Sequence, residues 1–285
     1  MNTETSFNRS HYGQCIGCYE VDITRYCNIN CYYCSLKDNP RLSIFTKIPE
    51  DLREKGVYLS PNSDPFAKFA RDGSHEVLER FLPEGVPFLI ITKSVIPAHT
   101  IDLLAKYAPQ VYVQISLSRM DHLLNRLMEP NAASAERRLG TMQALLLAGV
   151  RVTPILMPLF PGIDDTNESL IATIDACASA GAKYLKAAFA VLDPTDVDLV
   201  RRLTADPILK QSFRLMTEFQ KIHIGGGLTT PKPYRMEFYE RITKLCADRG
   251  IRFQACPILD PAVLENNNVC LCATYKKKNL LPKPL

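Results

Sequence analysis

The sequence predicts an α/β fold: six βα units that close into an incomplete barrel or spread as an open sheet, followed by a less regular C-terminal extension. Three observations predict it. The 285 residues are 46% apolar and 22% charged, the balance of a globular chain with a sizeable core rather than a disordered one. Short apolar runs rich in β-branched and aromatic residues alternate with stretches of helical periodicity. The spacing between the runs suits βα repeats, whose parallel strands are buried on both faces.

The first strand falls in residues 19–26, where Val21 and Ile23 alternate with polar neighbours. Further strands are expected at 56–60, 87–92, 111–117, 151–157 and 183–191. A helix over 134–148 carries Leu139, Met142, Leu145 and Leu146 on one face and stops at Gly149. The next helix opens with the capping-box arrangement Asp165-Thr166-Asn167-Glu168 and ends before Gly181. Cys177 continues the Leu170, Ile174 series, and Cys246 follows Tyr239 and Ile242, so both read as small core residues on apolar helix faces. Beyond Thr195 the regularity fades into a helical stretch over 196–221, the triplet Gly225-Gly226-Gly227, a helix over 234–249 and a strand over 251–256. The triplet lacks the following Lys-Ser/Thr of a phosphate loop and reads as a hinge or tight turn. The expected division is a barrel over 1–224 and an extension over 225–285.

A net charge of +4 is mild, and the one dense basic run, Lys276-Lys277-Lys278, has the character of a solvated tail. A binder of duplex DNA concentrates a larger excess in a patch, so that class is not indicated. No apolar stretch reaches the roughly 18 residues that a membrane span needs, and residues 1–14 lack a secretory hydrophobic core. The expected compartment is the cytoplasm, where thiols stay reduced; ten cysteines then require a role other than disulfides.

Eight of the ten gather near the ends: Cys15, Cys18, Cys27, Cys31 and Cys34 at one, Cys256, Cys270 and Cys272 at the other. Cys27-Asn-Ile-Asn-Cys31-Tyr-Tyr-Cys34 puts three thiols within eight residues, on a loop that leaves a strand end. Three thiolates on a four-iron cluster leave one iron without a protein ligand, and an open coordination site marks chemistry rather than scaffolding. A structural alternative pairs Cys15 and Cys18 with Cys31 and Cys34 as two knuckles of a zinc site, in a non-catalytic zinc-binding interaction protein. That arrangement leaves Cys27 unused.

The three-cysteine motif resembles the signature of the radical S-adenosylmethionine (radical SAM) enzymes, in which an aromatic residue before the last cysteine, here Tyr33, also recurs. The resemblance implies a partial (β/α)6 TIM barrel and a [4Fe-4S] cluster held by Cys27, Cys31 and Cys34. It further implies that the amino and carboxylate groups of S-adenosylmethionine bind the fourth iron. One electron, from a reductant such as flavodoxin or ferredoxin, then cleaves the sulfonium and releases a 5′-deoxyadenosyl radical that abstracts hydrogen from a substrate. Such an enzyme is a lyase, or a transferase such as one that inserts sulfur. Its reactive site is expected at the carboxyl ends of the strands, the side on which the three cysteines fall.

Five further pieces resemble one branch of that superfamily, the spore photoproduct lyase-like (DNA repair photolyase-like) proteins. They are Leu59-Ser60-Pro61-Asn62-Ser63-Asp64-Pro65-Phe66, Ile90-Ile91-Thr92-Lys93-Ser94, Ile115-Ser116-Leu117, Arg126-Leu127-Met128-Glu129-Pro130, and Pro158-Leu159-Phe160-Pro161-Gly162-Ile163-Asp164-Asp165. By this resemblance Ser63, Lys93 and Ser116 touch S-adenosylmethionine, and Tyr33 and Arg126 are further cofactor contacts. Arg126 and Glu129 either orient the cofactor or pair with each other at the surface. One position departs from the branch: where the repair lyase carries a cysteine that returns hydrogen to the product radical, this chain has Pro61, which has no such hydrogen to give. The expected substrate is a small molecule or a nucleotide-like compound. The alternative is a nucleic-acid repair lyase with a different hydrogen donor. Cys15, Cys18, Cys256, Cys270 and Cys272 are candidates for an auxiliary iron–sulfur cluster or a zinc site.

Overall fold

The computed structural model describes residues 8–9, 18–24, 27–34, 48–222, 225–256 and 260. A two-residue strand, β1 (Asn8–Arg9), lies antiparallel to β2 (Tyr19–Val21) at one edge of the main sheet. From β2 the sheet runs parallel in chain order through β3 (Val57–Leu59), β4 (Phe88–Thr92), β5 (Val111–Ser116), β6 (Arg151–Leu159) and β7 (Tyr184–Phe189). An antiparallel hairpin, β8 (Glu218–Ile222) and β9 (Gly225–Thr229), forms a second small sheet. The chain then returns to the main sheet, where β10 (Arg252–Ala255) lies parallel beside β7, with Lys186 opposite Gln254. The architecture is an α/β partial, TIM-like barrel with seven parallel strands. The seventh strand comes from residues assigned above to the extension, and the hairpin straddles the expected division at 224.

The helices are α1 (Leu52–Lys55), α2 (Arg71–Phe81), α3 (Ala98–Lys106), α4 (His122–Met128), α5 (Ala135–Leu147), α6 (Asn167–Ser179), α7 (Val197–Ala205), α8 (Pro207–Arg214) and α9 (Lys232–Ala247). Leu78, Leu104, Leu145, Ile174 and Ile242 of α2, α3, α5, α6 and α9 pack on Leu59, Ile90, Val113, Leu185 and Phe253 of the strands in one core. Cys177 and Cys246 are fully buried in that core, as their helical spacing predicts. The other face of the strands is mixed: Tyr58, Leu89, Ile91 and Tyr112 form an apolar cluster there, beside polar residues. It carries buried Gln114, Thr153, Lys186 and Gln254, because strand alternation turns these residues away from the helices.

The helix expected over 196–221 is interrupted. Asp206 adopts an extended backbone and caps α8, its carboxylate accepting from the Ile208 and Leu209 N–H groups at 2.9 and 3.1 Å, with Pro207 as the first helical residue. Residues 218–222 then pair across the sheet instead of coiling. The glycine triplet is a strand and not a hinge. Gly227 lies so close to Leu192 that a Cβ there would stand 2.4 Å from the Leu192 carbonyl oxygen. The approach permits the reciprocal Leu192–Leu228 backbone bonds at 2.9 and 2.8 Å. At α6 the N-cap is Thr166, which accepts from Ser169 N–H at 3.2 Å. Asp165, expected to open the capping box, instead accepts from Gly162 N–H and Tyr234 O–H, each at 2.6 Å.

Candidate active site

The loop carrying Cys27, Cys31 and Cys34 follows β2 at the carboxyl ends of the parallel strands. Its curl is set locally. Asn30 sits in the left-handed region (φ 55°), a conformation that asparagine tolerates better than most residues. Ile29, 2% exposed, anchors the turn beside Cys31 and Ala67. The Cys34 N–H donates to the Cys31 carbonyl at 3.1 Å, folding the last two cysteines onto one turn.

Neighbouring elements hold this loop from three sides. Tyr32 N–H donates to the Met128 carbonyl at 2.7 Å, and Tyr32 O–H to the Arg202 carbonyl at 2.8 Å. Arg202 of α7 returns bonds to the Tyr32 and Cys34 carbonyls at 3.2 and 3.4 Å. Asn28 accepts from Lys68 N–H at its side chain (3.1 Å) and from Asn131 Nδ2 at its carbonyl (2.9 Å).

All three cysteines border one small cluster with Ile29, Tyr33, Ala67 and Ala132. Burial pushes the Cys31 thiol up to about 12, with the Lys93 ammonium pulling in the opposite direction, and burial raises Cys27 as well. Iron binding inverts that preference, because a coordinated thiol is deprotonated outright. Among the described residues, no group of three or more His, Cys, Asp or Glu side chains is drawn together tightly enough for a single metal ion. Three thiols that border one cluster of side chains on a single loop are a donor set of the kind that holds three irons of a [4Fe-4S] cluster.

Behind the loop lies a buried charge network that sequence reading did not assign. Tyr33 O–H donates to Glu129 Oε1, and Glu129 Oε2 pairs with Arg138 Nη2 at 2.5 Å. Burial raises the Glu129 carboxyl, but Arg138, Lys93 and Arg119 together outweigh it and hold the group below the usual carboxylate range. Burial also drives the Tyr33 hydroxyl well above its ordinary value. Arg138 also donates to the Ala133 and Ser116 carbonyls at 2.7 and 2.9 Å, joining α5 to the end of β5. Arg119 grips Asp164 with Nε at 2.5 Å and Nη2 at 2.8 Å, both groups fully buried. Its Nη1 is buried without a hydrogen-bond partner among the described residues. Arg138 did leave a trace in the sequence, since it shares a helical stripe with Met142 and Leu145.

The expected cofactor contacts divide. Ser63 Oγ is buried and has no hydrogen-bond partner among the described residues. Lys93 is half-buried beside Cys31 and Glu129. Its backbone is fixed by Asp64, whose carboxylate accepts from Lys93 N–H at 2.6 Å and from Thr92 Oγ1 at 2.8 Å. Ser116 is buried and its hydroxyl donates to the Met157 carbonyl at 3.0 Å. Arg126 is exposed on α4, at a cavity of about 110 Å³ that it shares with Glu129, Ser134 and Arg138. It does not pair with Glu129, which is buried and turned to Tyr33 and Arg138.

Cys18 precedes β2 and is buried against Tyr58 and Leu89, at the amino ends of the strands. Cys31 and Cys34 follow β2, whereas Cys18 precedes it, and Cys256 follows β10. Cys15, Cys270 and Cys272 fall outside the described residues. No helix among the described residues is long and apolar enough to cross a membrane.

Uncharacterized protein ORF301 of Acidianus two-tailed virus is 35% identical over 107 residues, 38% of this chain and 36% of that one. Uncharacterized protein Rv2578c of Mycobacterium tuberculosis is 27% identical over 136 residues, 46% of this chain and 39% of that one. The matched stretches thus span well under half the length of these curated relatives. Spore photoproduct lyase complexed with dinucleoside spore photoproduct superposes with a TM-score of 0.67 at 12% identity, covering 90% of this chain and 81% of that one. Streptococcus suis SuiB bound to S-adenosylmethionine superposes with a TM-score of 0.55 at 13% identity, covering 86% and 52%. At such identities the likeness to solved structures is one of fold. The family model described as the radical SAM superfamily matches residues 21–175. That match spans more than half of the chain, from β2 through the cysteine loop into α6, and the chain belongs to the radical SAM superfamily, which implies S-adenosylmethionine and a [4Fe-4S] cluster as its cofactors.

Proposed function

We propose that the chain is a radical SAM enzyme acting on a small or nucleotide-like substrate, with Cys27, Cys31 and Cys34 as the cluster ligands. The observation that carries this reading is the convergence of the three thiols beside Lys93 at the carboxyl ends of the strands. When bound, the cluster and S-adenosylmethionine supply a 5′-deoxyadenosyl radical that abstracts hydrogen from the substrate.

The chain's own part is to hold and shield. Met128, Arg202 and Asn131 bond the loop backbone, and the Lys68 backbone N–H bonds the Asn28 side chain, so the loop is braced before iron is loaded. Lys93 offers an ammonium, and Ser63 a buried hydroxyl with no protein partner, to the carboxylate and hydroxyl groups of S-adenosylmethionine. Arg119 Nη1 is a third donor in search of an acceptor, clamped in one orientation by Asp164. Ser116, engaged with Met157, supports the wall. Tyr33 orients the last turn of the loop through Glu129.

Anaerobic reconstitution tests the reading. About four irons and four sulfides per chain are expected at the primary site, together with release of 5′-deoxyadenosine from S-adenosylmethionine on reduction. Cys27→Ala, Cys31→Ala and Cys34→Ala each abolish that release. Continued cleavage in the triple variant overturns the assignment. The fold likeness to a repair lyase motivates one further arm, incubation with dinucleoside spore photoproduct. With Pro61 in the hydrogen-donor segment, no repair is expected by the route of that enzyme.

A further inference from the structure

Among the described residues of the cysteine loop, Asn30 is the most exposed. Asn28 is bonded on one flank to Lys68 and on the other to Asn131. Lys68 and Phe69 form an exposed pair between buried Ala67 and Ala70, and Ala67 packs in the same cluster as the three cysteines. Phe69, two residues after Ala67, is 68% exposed, a large aromatic ring turned to the surface. The Lys68 ammonium lies 5.6 Å from the centre of that ring. Arg71 follows on the same turn, exposed and only loosely paired with Asp72 at 3.9 Å.

We propose that Lys68, Phe69 and Arg71, with the Asn28–Asn30 surface and Asn131, form the docking face for an acidic one-electron carrier protein. The inference rests on the reading that Cys27, Cys31 and Cys34 hold the cluster. That chemistry requires an electron from outside, and this turn, joined to the cysteine loop through Ala67 and the Lys68 N–H, offers two cations and an exposed ring. The cations steer an acidic partner into place, and the ring gives a small apolar contact that a transient electron-transfer encounter can use and release. The carrier is oxidised by one electron and the cluster is reduced by one; no bond is made or broken at the face.

The test uses the full chain, reconstituted anaerobically and mixed with fully reduced flavodoxin in a stopped-flow instrument, reading the loss of the cluster's visible absorbance. Lys68→Glu with Arg71→Glu should slow the second-order rate at least ten-fold at low salt, and Phe69→Ala several-fold. Reduction of the same variants by dithionite should stay within two-fold of the unchanged chain. Raising the salt should slow the unchanged chain and leave the double variant unslowed or faster, because the reversed charges repel the acidic carrier. A flavodoxin rate that survives these substitutions overturns the inference while leaving the cluster assignment intact. Binding of a single-stranded oligonucleotide at Phe69 with unaltered flavodoxin reduction overturns it in favour of base stacking. A chain that assembles no cluster overturns the inference and the reading beneath it together.

Discussion

Glu129 shows how a single side chain joins the motif to the barrel. It accepts from Tyr33, inside the cysteine run, and pairs with Arg138 on α5, so the loop and the helix layer share one buried carboxylate. Neighbouring cations hold that carboxyl below its unfolded value of about 4.3. Its stabilisation is therefore fully present above that pH and fades as pH falls through the lower folded value. In Glu129→Gln this contribution is missing, so the unfolding free energy, measured in urea between about pH 5 and pH 3, declines less steeply than in the unchanged chain. A steeper decline contradicts the network. At this scale the grouping of the three cysteines on one loop was legible from their spacing. The pairing of Arg119 with Asp164 and of Glu129 with Arg138 was not, because the partners lie 45 and 9 positions apart and nothing in the local pattern couples them.

Elements were most legible where local propensity and burial agree. Strands β3 to β7 and helices α5 and α6 lie within a few residues of their expected bounds, since apolar β-branched runs and capped amphipathic stretches leave few other solutions. Residues 196–221 misled because helical periodicity continues through Asp206-Pro207, and the pairing that makes 218–222 a strand comes from a segment across the chain. Gly227 is the clearest case of a residue whose meaning is spatial. Gly227→Ala forces a methyl group against the Leu192 carbonyl, and an overpacked contact of this kind costs about 1–3 kcal/mol. Thermal unfolding should register it as a lowered midpoint with the main sheet retained in circular dichroism.

At the scale of the whole molecule, β10 makes the late part of the chain structural for the barrel. Phe253 shares the core of Leu185 and Phe238, so Phe253→Ala should cost about 3–5 kcal/mol. It should do so in a single cooperative transition seen at once by tyrosine fluorescence and far-ultraviolet circular dichroism. Two separate transitions would mean that residues 225–256 fold as an appendage. All seven parallel strands were readable as short apolar runs, but the place of the last in the sheet was not, since a short run after a long irregular passage does not reveal which edge it joins. The bond between Tyr32 and Arg202 crosses 170 positions of sequence. A chain emerging from the ribosome therefore presents the cysteine loop before α7 has been made, and with it the Arg202 clamp on Tyr32 and Cys34.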